Sequence, residues 1–391
     1  MDWSRITVIE LASVLAGPSV GQWLAELGAH VIKVENPATN GDVTRSWKLP
    51  SEPINADTPA YFTAINWGKE SIGLNLKTPE SKEILDRLFS TADVVLSSFI
   101  PSQASGLGLV IEEILTEHPE LIWAEINGYG PDEPRAAYDA IIQAESGFTY
   151  INGTPGHTSK MPVALMDVLA AHHLKEGILL ALLERQSTGE GKRISVSLLE
   201  SGISSLVNQA SNWLNAGHLP VPKGSDHPNI VPYGTQFTCR RDEGIVLAVG
   251  TDKQFQQLCA VLGQAVPQEF RTNPERVSKR AGVVSWLQEL LKNQDRNNLL
   301  KDLHRLKVPA GAVKNIAEVF QDSHTNQLLI SDGASKAVRQ QLTNGITSRS
   351  DLTAPPSFHQ QGVPLLQRLG FTPEQISRFE NIGVIPQSSE L

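Results

Sequence analysis

Short runs of β-branched and aliphatic residues alternate with helical patterns through the first part of the chain, and this alternation constrains the fold more than any other feature. Strand patterns and helix patterns each recur in turn. The strand patterns lie at residues 6–11, at 29–35, between Lys69 and Lys77, at 93–97 and at 121–126, and the helical ones at 20–27, 80–90 and 111–117. Strands that are joined through helices pair in parallel. We therefore predict an α/β fold with an open, parallel, doubly wound, Rossmann-like sheet.

The loop after the first strand argues against a dinucleotide-binding enzyme. It reads Leu15-Ala16-Gly17-Pro18-Ser19-Val20-Gly21. A dinucleotide-binding turn carries the pattern G-x-G-x-x-G, in which the glycines allow the backbone to approach the pyrophosphate. Because this pattern is missing, the sequence disfavours an enzyme that uses NAD or FAD.

Length and composition narrow the class of protein. A chain of 391 residues is too long for one ordinary core and suggests two domains, or a large domain with an insertion. The formal charge of −9 and the lack of a basic run oppose nucleic-acid binding. Cys239 and Cys259 form no C-x-x-C or Cys/His cluster, so we expect no disulfide framework and no metal site. With no signal-peptide pattern and no apolar run of membrane-spanning length, we expect a cytoplasmic protein that does not contact a membrane.

A single carboxylate, Asp167, stands where an apolar run ends and a helix begins. The apolar side chains of that helix recur at three- and four-residue steps, at Leu174, Ile178, Leu179, Leu182 and Leu183, and the helix breaks at 187–191 before a strand pattern at 194–198. Asp is a preferred helix cap, so one interpretation of Asp167 is structural. The alternative is a nucleophile, because its apolar neighbours desolvate the carboxylate while the helix N-terminus favours its ionised form.

Three cations stand at the margins of the predicted strands. Arg45, Lys69 and Lys77 lie in or beside irregular segments. Surface cations in loops are usually only solvated. At the ends of strands they are also placed to meet an anionic ligand, and both interpretations stay open.

Several long motifs resemble, in order, the class III CoA-transferase family, which includes formyl-CoA:oxalate CoA-transferase, crotonobetainyl-CoA:carnitine CoA-transferase and α-methylacyl-CoA racemase. The resemblance implies an interlocked, ring-like homodimer, in which each subunit has a large Rossmann-like domain and an inserted smaller α+β domain. It implies an acyl-CoA and a free carboxylic acid as substrates, with no tightly bound cofactor and no metal. The matching segments are residues 8–45, 66–77, 126–131, 138–147, the Asp167 helix with its tail, 227–237 and 248–259.

Domain boundaries follow from the resemblance together with a Gly/Pro-rich stretch at 217–226. We predict the first part of the large domain at 1–200, a linker at 201–226 and the small domain at 227–325. Residues 326–391 then return to complete the large domain.

Carried over residue by residue, the resemblance makes Asp167 the catalytic aspartate, which attacks the thioester to form an aspartyl–acyl anhydride and then an aspartyl–CoA thioester. The segments that match the CoA site, with the cations that would supplement it, contain Val14, Leu15, Arg45, Lys69, Leu74, Asn75, Lys77, Phe99, Arg135, Tyr138 and Asp139. A glycine-bearing loop of the small domain would meet the oxyanion, with Tyr233, Gly234 and Gly250 as candidates; a plain turn role is the alternative.

Three features of the sequence bear on the choice among functions. A racemase carries His before the Asp of the 138–147 motif, whereas this chain carries Tyr138, a poor base near neutral pH. Racemisation is therefore the second hypothesis. The stretch at 97–106 lacks the family's usual glycine and following cation, which favours, as a third hypothesis, a CoA-binding protein without turnover. Leu15 replaces a Gln of the oxalate enzyme, so oxalate is not indicated as the acceptor.

Overall fold

The computed structural model describes residues 1–130, 133 and 135–387, and the chain divides into two compact units. Unit 1 comprises Met1–Phe148, Lys160–His218 and Leu328–Leu391; unit 2 comprises Thr149–Ser159 and Leu219–Gln327. Unit 2 thus includes the short segment Thr149–Ser159, and unit 1 includes the two helices at Leu198–Ser204 and Val207–Ala216. The domain boundaries given above stay a prediction.

Strands and helices alternate through the first half of the chain. In chain order the strands are β1 (Thr7–Leu11), β2 (His30–Glu35), β3 (Lys69–Gly73), β4 (Val94–Ser97), β5 (Ile122–Asn127), β6 (Gly153–Thr154), β7 (His157–Thr158), β8 (Arg193–Ser197), β9 (Tyr233–Thr238), β10 (Gly244–Ala248), β11 (Ala310–Ala312), β12 (Leu329–Asp332) and β13 (Ser335–Val338). The helices are α1 (Ala16–Leu27), α2 (Ala60–Thr63), α3 (Ser81–Thr91), α4 (Pro101–Gly106), α5 (Ile111–Glu117), α6 (Asp139–Glu145), α7 (Phe148–Ile151), α8 (Leu165–Thr188), α9 (Leu198–Ser204), α10 (Val207–Ala216), α11 (Asp252–Val261), α12 (Asn273–Ser278), α13 (Arg280–Leu291), α14 (Arg296–Arg305), α15 (Ile316–Phe320), α16 (Gly362–Arg368) and α17 (Pro373–Asn381). Short 3-10 helices lie at Trp3–Arg5, Pro37–Thr39, Val43–Ser46, Arg240–Asp242, Gln268–Phe270 and Thr325–Leu328.

A parallel six-stranded sheet organises unit 1. Its strand order is β3-β2-β1-β4-β5-β8, and every neighbouring pair is parallel. The predicted parallel α/β sheet is confirmed. β1 lies inside the sheet, β2 and β3 follow it on one side, and β4, β5 and β8 follow on the other side. The order therefore reverses between β1 and β4, and a crevice opens at the carboxyl ends of strands at such a point.

Both faces of this sheet are buried. Val8 and Ile9 are neighbours on β1, and alternation along a strand sends their side chains to opposite faces. Val8 packs in a core with residues of α1 and α8. Ile9 packs in a second core with residues of α3, α16 and α17. Each fully buried aliphatic side chain of this kind contributes about 1.5–3 kcal/mol, so the segment after residue 352 is an integral part of unit 1.

Charged side chains are also buried inside unit 1. Glu10 of β1 lies 2.9 Å from the Nζ of Lys33 on β2 and 2.8 Å from the Nζ of Lys69 on β3. Lys33 also lies 2.9 Å from the carboxylate of Asp42. Removing one member of a buried ion group leaves an uncompensated charge, so such groups hold their partners in fixed positions.

Unit 2 has its own small core. The antiparallel sheet runs β11-β10-β9, and its apolar side chains pack with residues of α11, α13 and α14. Arg276 of α12 is fully buried; its guanidinium lies over the Phe255 ring and donates to the Val231 carbonyl. Among the described residues, no helix combines the length and apolar character that crossing a membrane requires.

Gly21 of α1 should be intolerant of any side chain. A Cβ at this position would lie 1.9 Å from Oε2 of Glu10 and 3.3 Å from Cε of Lys69. We expect Gly21→Ala to lower the free energy of unfolding by about 3 kcal/mol, because it displaces a buried ion pair that has nowhere to move. The measurement is urea unfolding followed by circular dichroism.

The matched control is Gly106→Ala in α4. A Cβ there would meet nothing within 4 Å, so the same substitution should be neutral or slightly stabilising. Equal losses for the two variants would contradict the packing argument.

Candidate functional site

A cavity of about 340 Å³ opens at the carboxyl ends of β1, β4 and β5, where the strand order reverses. We call it the Asp167 cavity. It is lined by Ser13, Val14, Leu15, Ala16, Gly17, Ser98, Ile100, Gln103, Ile126, Asn127, Gly128, Arg135, Ala136, Ala137, Tyr138, Asp139, Asp167 and Leu198. The parallel sheet thus brings together six of the predicted site residues from distant parts of the sequence. They are Val14, Leu15, Arg135, Tyr138, Asp139 and Asp167.

Asp167 lies in the first turn of α8 but does not cap it. The N-cap position is Ala164, which makes no side-chain hydrogen bond. The N–H of Met166 instead donates to Oδ1 of Asp139 at 2.9 Å. Within the described part of the chain, the Asp167 carboxylate accepts no hydrogen bond and forms no ion pair. The structural interpretation as a cap is therefore wrong, and Asp139 performs that role from α6.

Gln143 fixes the segment that leads into α8, and sequence reasoning gave it no role. This fully buried amide donates through Nε2 to Oδ2 of Asp139 at 2.8 Å and to the Val163 carbonyl at 3.2 Å. Its Oε1 accepts from the N–H of Met161 at 2.7 Å. The amide thus orients Asp139 and the approach to Asp167 together. Its position four residues after Asp139 places both on one helix face, which was the available signal.

The electrostatic environment makes Asp167 hard to ionise. Burial, with a smaller contribution from the nearby charge of Asp139, raises the pKa of Asp167 to about 7. Tyr61 of α2 feels the same field, because burial and then the charges of Asp167 and Asp139 raise its pKa. Tyr61 is a second residue that the sequence did not single out. A carboxylate with weak solvation and no internal donor is a reactive nucleophile once it is ionised.

The loop after β1 holds an uncommon backbone conformation beside Asp167. Val14 has φ of 72°, which is costly for a β-branched residue. Its N–H donates to Oδ2 of Asp42 at 3.2 Å. Burial opposes ionisation of Asp42, but Lys33 and the donors of Thr44 hold the pKa of Asp42 below its ordinary value. The Nζ of Lys33 also donates to the Ala12 carbonyl at 2.9 Å, so the buried charges hold this strained loop in place.

A second cavity, of about 260 Å³, adjoins the first and lies at the carboxyl ends of β1, β2 and β3. We call it the Lys77 cavity. Leu74, Asn75, Lys77 and Phe99, all predicted to contact CoA, line it, and Ser13 lines both cavities. Lys77 is exposed, whereas Asn75 is fixed by its N–H, which donates to the Val384 carbonyl at 2.8 Å. The predicted CoA residues thus fall into two adjacent groups.

Two predicted cations are given internal partners instead. Lys69 is buried and donates to Glu10, to the Pro18 carbonyl and to Oδ1 of Asn66, each within 3.1 Å. Arg45 is buried and binds both carboxylate oxygens of Glu35, at 2.8 and 2.7 Å. Their donors are used inside the protein, so the interpretation of both as contacts for an anionic tail is corrected to an interior structural role.

Arg135 and Tyr138 lie at the mouth of the Asp167 cavity. Tyr138 is 63% exposed. Arg135 is exposed and lies over the Tyr129 ring at 3.9 Å, with Glu145 and Glu133 within 3.4 Å. Its charge is shared with solvent-exposed carboxylates, which leaves it able to exchange partners. The matching motif at 126–131 ends at Pro131, which lies outside the described residues.

The three residues predicted for the oxyanion belong to unit 2. The N–H of Gly250 donates to Oε1 of Gln254 at 2.9 Å, as part of the capping box of α11. Gly234 has φ of 76°, and a Cβ there would lie 2.0 Å from the Ser225 carbonyl oxygen. Tyr233 begins β9, and its carbonyl accepts from the N–H of His227. Gly250 and Gly234 therefore have turn and capping roles, and the approach of this loop to Asp167 stays a prediction.

Metal ligation has no candidate cluster in the part of the chain that the structure describes. No group of three or more His, Cys, Asp or Glu residues there is arranged to hold an ion. Cys239 and Cys259 are both buried and unpaired.

Comparisons with known proteins match the chain to one family. The sequence model of CoA-transferase family III matches residues 4–359. A succinate–glutarate CoA-transferase of Agrobacterium fabrum is 40% identical over 82% of this chain and 82% of its own. The human succinyl-CoA:glutarate CoA-transferase is 32% identical over 81% of this chain and 73% of its own. A crystal structure of a CAIB/BAIF family protein from Brucella suis superposes with a TM-score of 0.85, at 35% identity, over 93% of this chain and 98% of that one.

The raised pKa of Asp167 predicts a pH-dependent stability. In the unfolded chain this carboxyl titrates near its ordinary value of 3.8, and in the folded protein it titrates at about 7. Between these values the folded state binds the extra proton, so Asp167 favours folding at low pH and this contribution is lost as the pH rises through 7. Asp167→Asn has no charge to desolvate. Relative to wild type, its free energy of unfolding should therefore be higher at pH 8 than at pH 5 by on the order of 2 kcal/mol.

Urea unfolding of both proteins at the two pH values measures this difference. A stability difference that is the same at pH 5 and pH 8 would show that the carboxylate is ordinarily solvated.

Proposed function

Because the chain belongs to CoA-transferase family III and is thus an enzyme of CoA transfer, we propose that Asp167 is its nucleophile and passes CoA from an acyl-CoA to a free carboxylic acid. The observation that carries the proposal is the Asp167 carboxylate itself. It faces a cavity at the reversal point of the sheet, and within the described residues nothing binds it.

The proposed reaction proceeds through covalent intermediates. The Asp167 carboxylate attacks the thioester carbonyl, which forms a mixed aspartyl–acyl anhydride and releases the CoA thiolate. The thiolate then attacks the aspartyl carbonyl, which gives an aspartyl–CoA thioester and frees the donor acid. The acceptor carboxylate repeats both steps in reverse order, and Asp167 is regenerated. Each step exchanges one acyl bond for another, so the reaction needs no oxidant, reductant or net proton.

The surroundings of Asp167 support this nucleophilic role. A carboxylate in water is a weak nucleophile because hydrogen bonds disperse its charge. Asp139, held by Gln143, accepts the hydrogen bond from the N–H of Met166 at the start of α8. Within the described residues the Asp167 carboxylate is thus left without a hydrogen bond. The raised pKa of Asp167 expresses the same weak solvation. The side chain is thereby held in place by the helix while its oxygens stay available to a substrate.

The two adjoining cavities support an extended position for CoA. In this proposal the thioester lies in the Asp167 cavity, and the pantetheine and nucleotide extend past Ser13 toward Lys77. Lys77 and Arg135 then meet the phosphates as the exposed cations of the site. Arg45 and Lys69 act indirectly by fixing the loops that line it.

The oxyanion donors and the oligomeric state are further parts of the proposal. We propose that the Tyr233–Gly234 turn, with the segment at Gly250, approaches the thioester oxygen, and that the active protein is an interlocked homodimer. For Gly250 this requires its N–H to exchange Gln254 for the substrate oxygen. A pair of aligned donors at a developing oxyanion is worth a few kcal/mol.

The names of the similar proteins guide the choice of substrates. The Agrobacterium and human relatives are named for succinate or succinyl-CoA and for glutarate. We propose a dicarboxylic acid of four or five carbons as acceptor and the CoA thioester of another as donor.

Asp167→Ala should abolish CoA transfer and the covalent intermediate together. Wild-type enzyme incubated with succinyl-CoA and then hydroxylamine should carry a hydroxamate on the peptide that contains Asp167, detected by mass spectrometry, and the variant should carry none. Transfer to glutarate, followed by chromatography of the CoA thioesters, should fall at least 10³-fold.

The matched control is Glu176→Gln, which changes an exposed carboxylate on the same helix and should keep both signals. Full activity of the alanine variant would rule out Asp167 as the nucleophile.

The rate of the first acyl transfer should follow the ionisation of Asp167. With a pKa of about 7, the rate should fall about tenfold per pH unit below neutrality, because only the ionised carboxylate attacks. Asp139→Asn removes the neighbouring charge and keeps an oxygen that accepts from Met166, although its amide nitrogen then replaces the oxygen that accepts from Gln143. In this variant the fall of the rate with decreasing pH should begin at a lower pH. The displacement should be smaller than the full rise in the pKa of Asp167, because burial is the larger cause of that rise.

The measurement is single-turnover release of the donor acid from its CoA thioester, without acceptor, from pH 5 to pH 9 for both proteins. If the pH dependence of the rate is the same in wild type and in Asp139→Asn, the titrating group is not Asp167.

A further inference from the structure

A third cavity, of about 350 Å³, shares the lining residue Leu15 with the Asp167 cavity. We call it the Lys175 cavity. Leu15 lines both cavities, and Val168, which follows Asp167 on α8, lines this one together with Ala171. Lys175, His172 and Lys336 supply its titratable groups, and none of its lining residues is acidic. The cavity is therefore cationic and is reached from the same turn of α8 that carries Asp167.

Lys175 is buried in this cavity without a hydrogen-bond acceptor. Lys175 is only 6% exposed. In the described part of the chain its amine donates no hydrogen bond. Its described contact is the Trp23 ring, at 5.7 Å from Nζ to the ring centroid. Burial lowers the pKa of Lys175 to about 8, with Glu26 opposing the shift. An ammonium that is desolvated but unpaired gains strongly from an anionic ligand.

Glu26, the carboxylate whose charge acts on Lys175, already accepts hydrogen bonds from other groups. Glu26 is fully buried and accepts from Nε2 of Gln22 at 3.0 Å, and from the backbone N–H groups of Gln340 and Gln341 at 2.8 Å. It lies beyond ion-pair distance of Lys175. The protein has thus satisfied Glu26 with neutral donors and has left the charge of Lys175 available to the cavity.

The spacing along α8 relates Lys175 to Asp167. Asp167, Ala171 and Lys175 are separated by steps of four residues and form one ridge of the helix. The Cα atoms of Asp167 and Lys175 are about 12 Å apart along the helix axis, since each residue adds about 1.5 Å. Helical side chains lean toward the N-terminus, so the stem of Lys175 lies over the turn that contains Ala171, which lines the same cavity. A diacid whose reacting carboxyl group lies at Asp167 would reach this cavity past Leu15, which lines both cavities.

We infer that the Lys175 cavity binds the carboxylate of the substrate that does not react, so that Lys175 selects dicarboxylic acids over monocarboxylic acids. This inference rests on the proposed function, since it assumes that the reacting carboxyl group lies at Asp167. Lys175 is a specificity residue here and takes no part in the bond exchange. Lys336 stands at the exposed side of the cavity and adds positive charge. His172 is beside it, and burial and the charge of Lys175 lower the pKa of His172, which favours its neutral form.

The test compares two acceptors of equal length in wild type and in Lys175→Met. Methionine keeps the volume and removes the charge, and no hydrogen bond within the described chain is lost, so we expect the variant to fold. With succinyl-CoA as donor, kcat/KM for glutarate should fall about 10- to 100-fold, as expected for a hydrogen-bonded charge. For valerate, which lacks the second carboxylate, it should change less than twofold.

Control variants separate charge from packing. Lys175→Arg keeps the cation and should recover part of the selectivity for glutarate. Lys301→Met removes an exposed lysine of α14 in unit 2 and should leave both acceptors unaffected. Glutarate should also raise the Tm of wild type in a thermal-shift titration and have no such effect on Lys175→Met.

The outcomes distinguish this inference from the proposed function. If wild type transfers CoA but Lys175→Met keeps the preference for glutarate, the inference is overturned and the proposed function stands. An equal rise in KM for butyryl-CoA, a donor whose acyl group has no free carboxylate, would also overturn it, because the cavity would then hold a phosphate of CoA. If wild type transfers no CoA, the proposed function fails, and glutarate stabilisation that depends on Lys175 would still support a carboxylate site.

Discussion

The hydrogen bond from the N–H of Met166 to the Asp139 carboxylate is the interaction on which the candidate site depends. The first N–H groups of a helix need acceptors, and an aspartate in the first turn ordinarily supplies one. Here the acceptor comes from α6, and Gln143 holds that acceptor in place. Asp167 is therefore released from a capping role while it stays at the helix terminus. The chain uses one carboxylate for structure, and this arrangement leaves the other available for chemistry.

A buried group of charges determines the shape of the loop opposite Asp167. Lys33 links Glu10 to Asp42, and Asp42 accepts from the N–H of Val14 in its left-handed conformation. Buried ion groups are weak sources of net stability, since desolvation offsets their attraction. Their effect here is positional, because a loop with strained backbone needs partners that cannot relax.

Periodicity predicted most of unit 1, because burial on both faces of a parallel sheet imposes long apolar runs and helical stripes. The six strands of the parallel sheet, α8 and its end at Gly189 were visible in this way, whereas the hairpin of β12 and β13 was not predicted. Ion pairing was not, because partners such as Glu10 and Lys69 are 59 residues apart and a loop cation looks the same whether it faces solvent or a buried carboxylate. Arg45 and Lys69 were misassigned for that reason. Gln143, Tyr61 and Lys175 were missed because each has a role only through the neighbours that the fold supplies.

The resemblance located Asp167 but could not describe its environment. Whether an aspartate caps its own helix depends on which other acceptor reaches the helix end, and this is decided by tertiary structure. Gly250 shows the converse case. Its N–H is engaged by Gln254 in a local capping box, and the pattern Thr251–Gln254 was present in the sequence as a signal for that arrangement.

The edge of the large sheet has a consequence for how the protein is made. The N–H of Gly73, at the end of β3, donates to Nδ1 of His359, and the side chain of Asn75 donates to the Gly383 carbonyl, partners 286 and 308 residues later. A ribosome delivers β3 long before those partners emerge. The edge of β3 and the part of the sheet face that α16 and α17 cover are therefore completed only when the last segment of the chain emerges, and until then they leave apolar surface exposed.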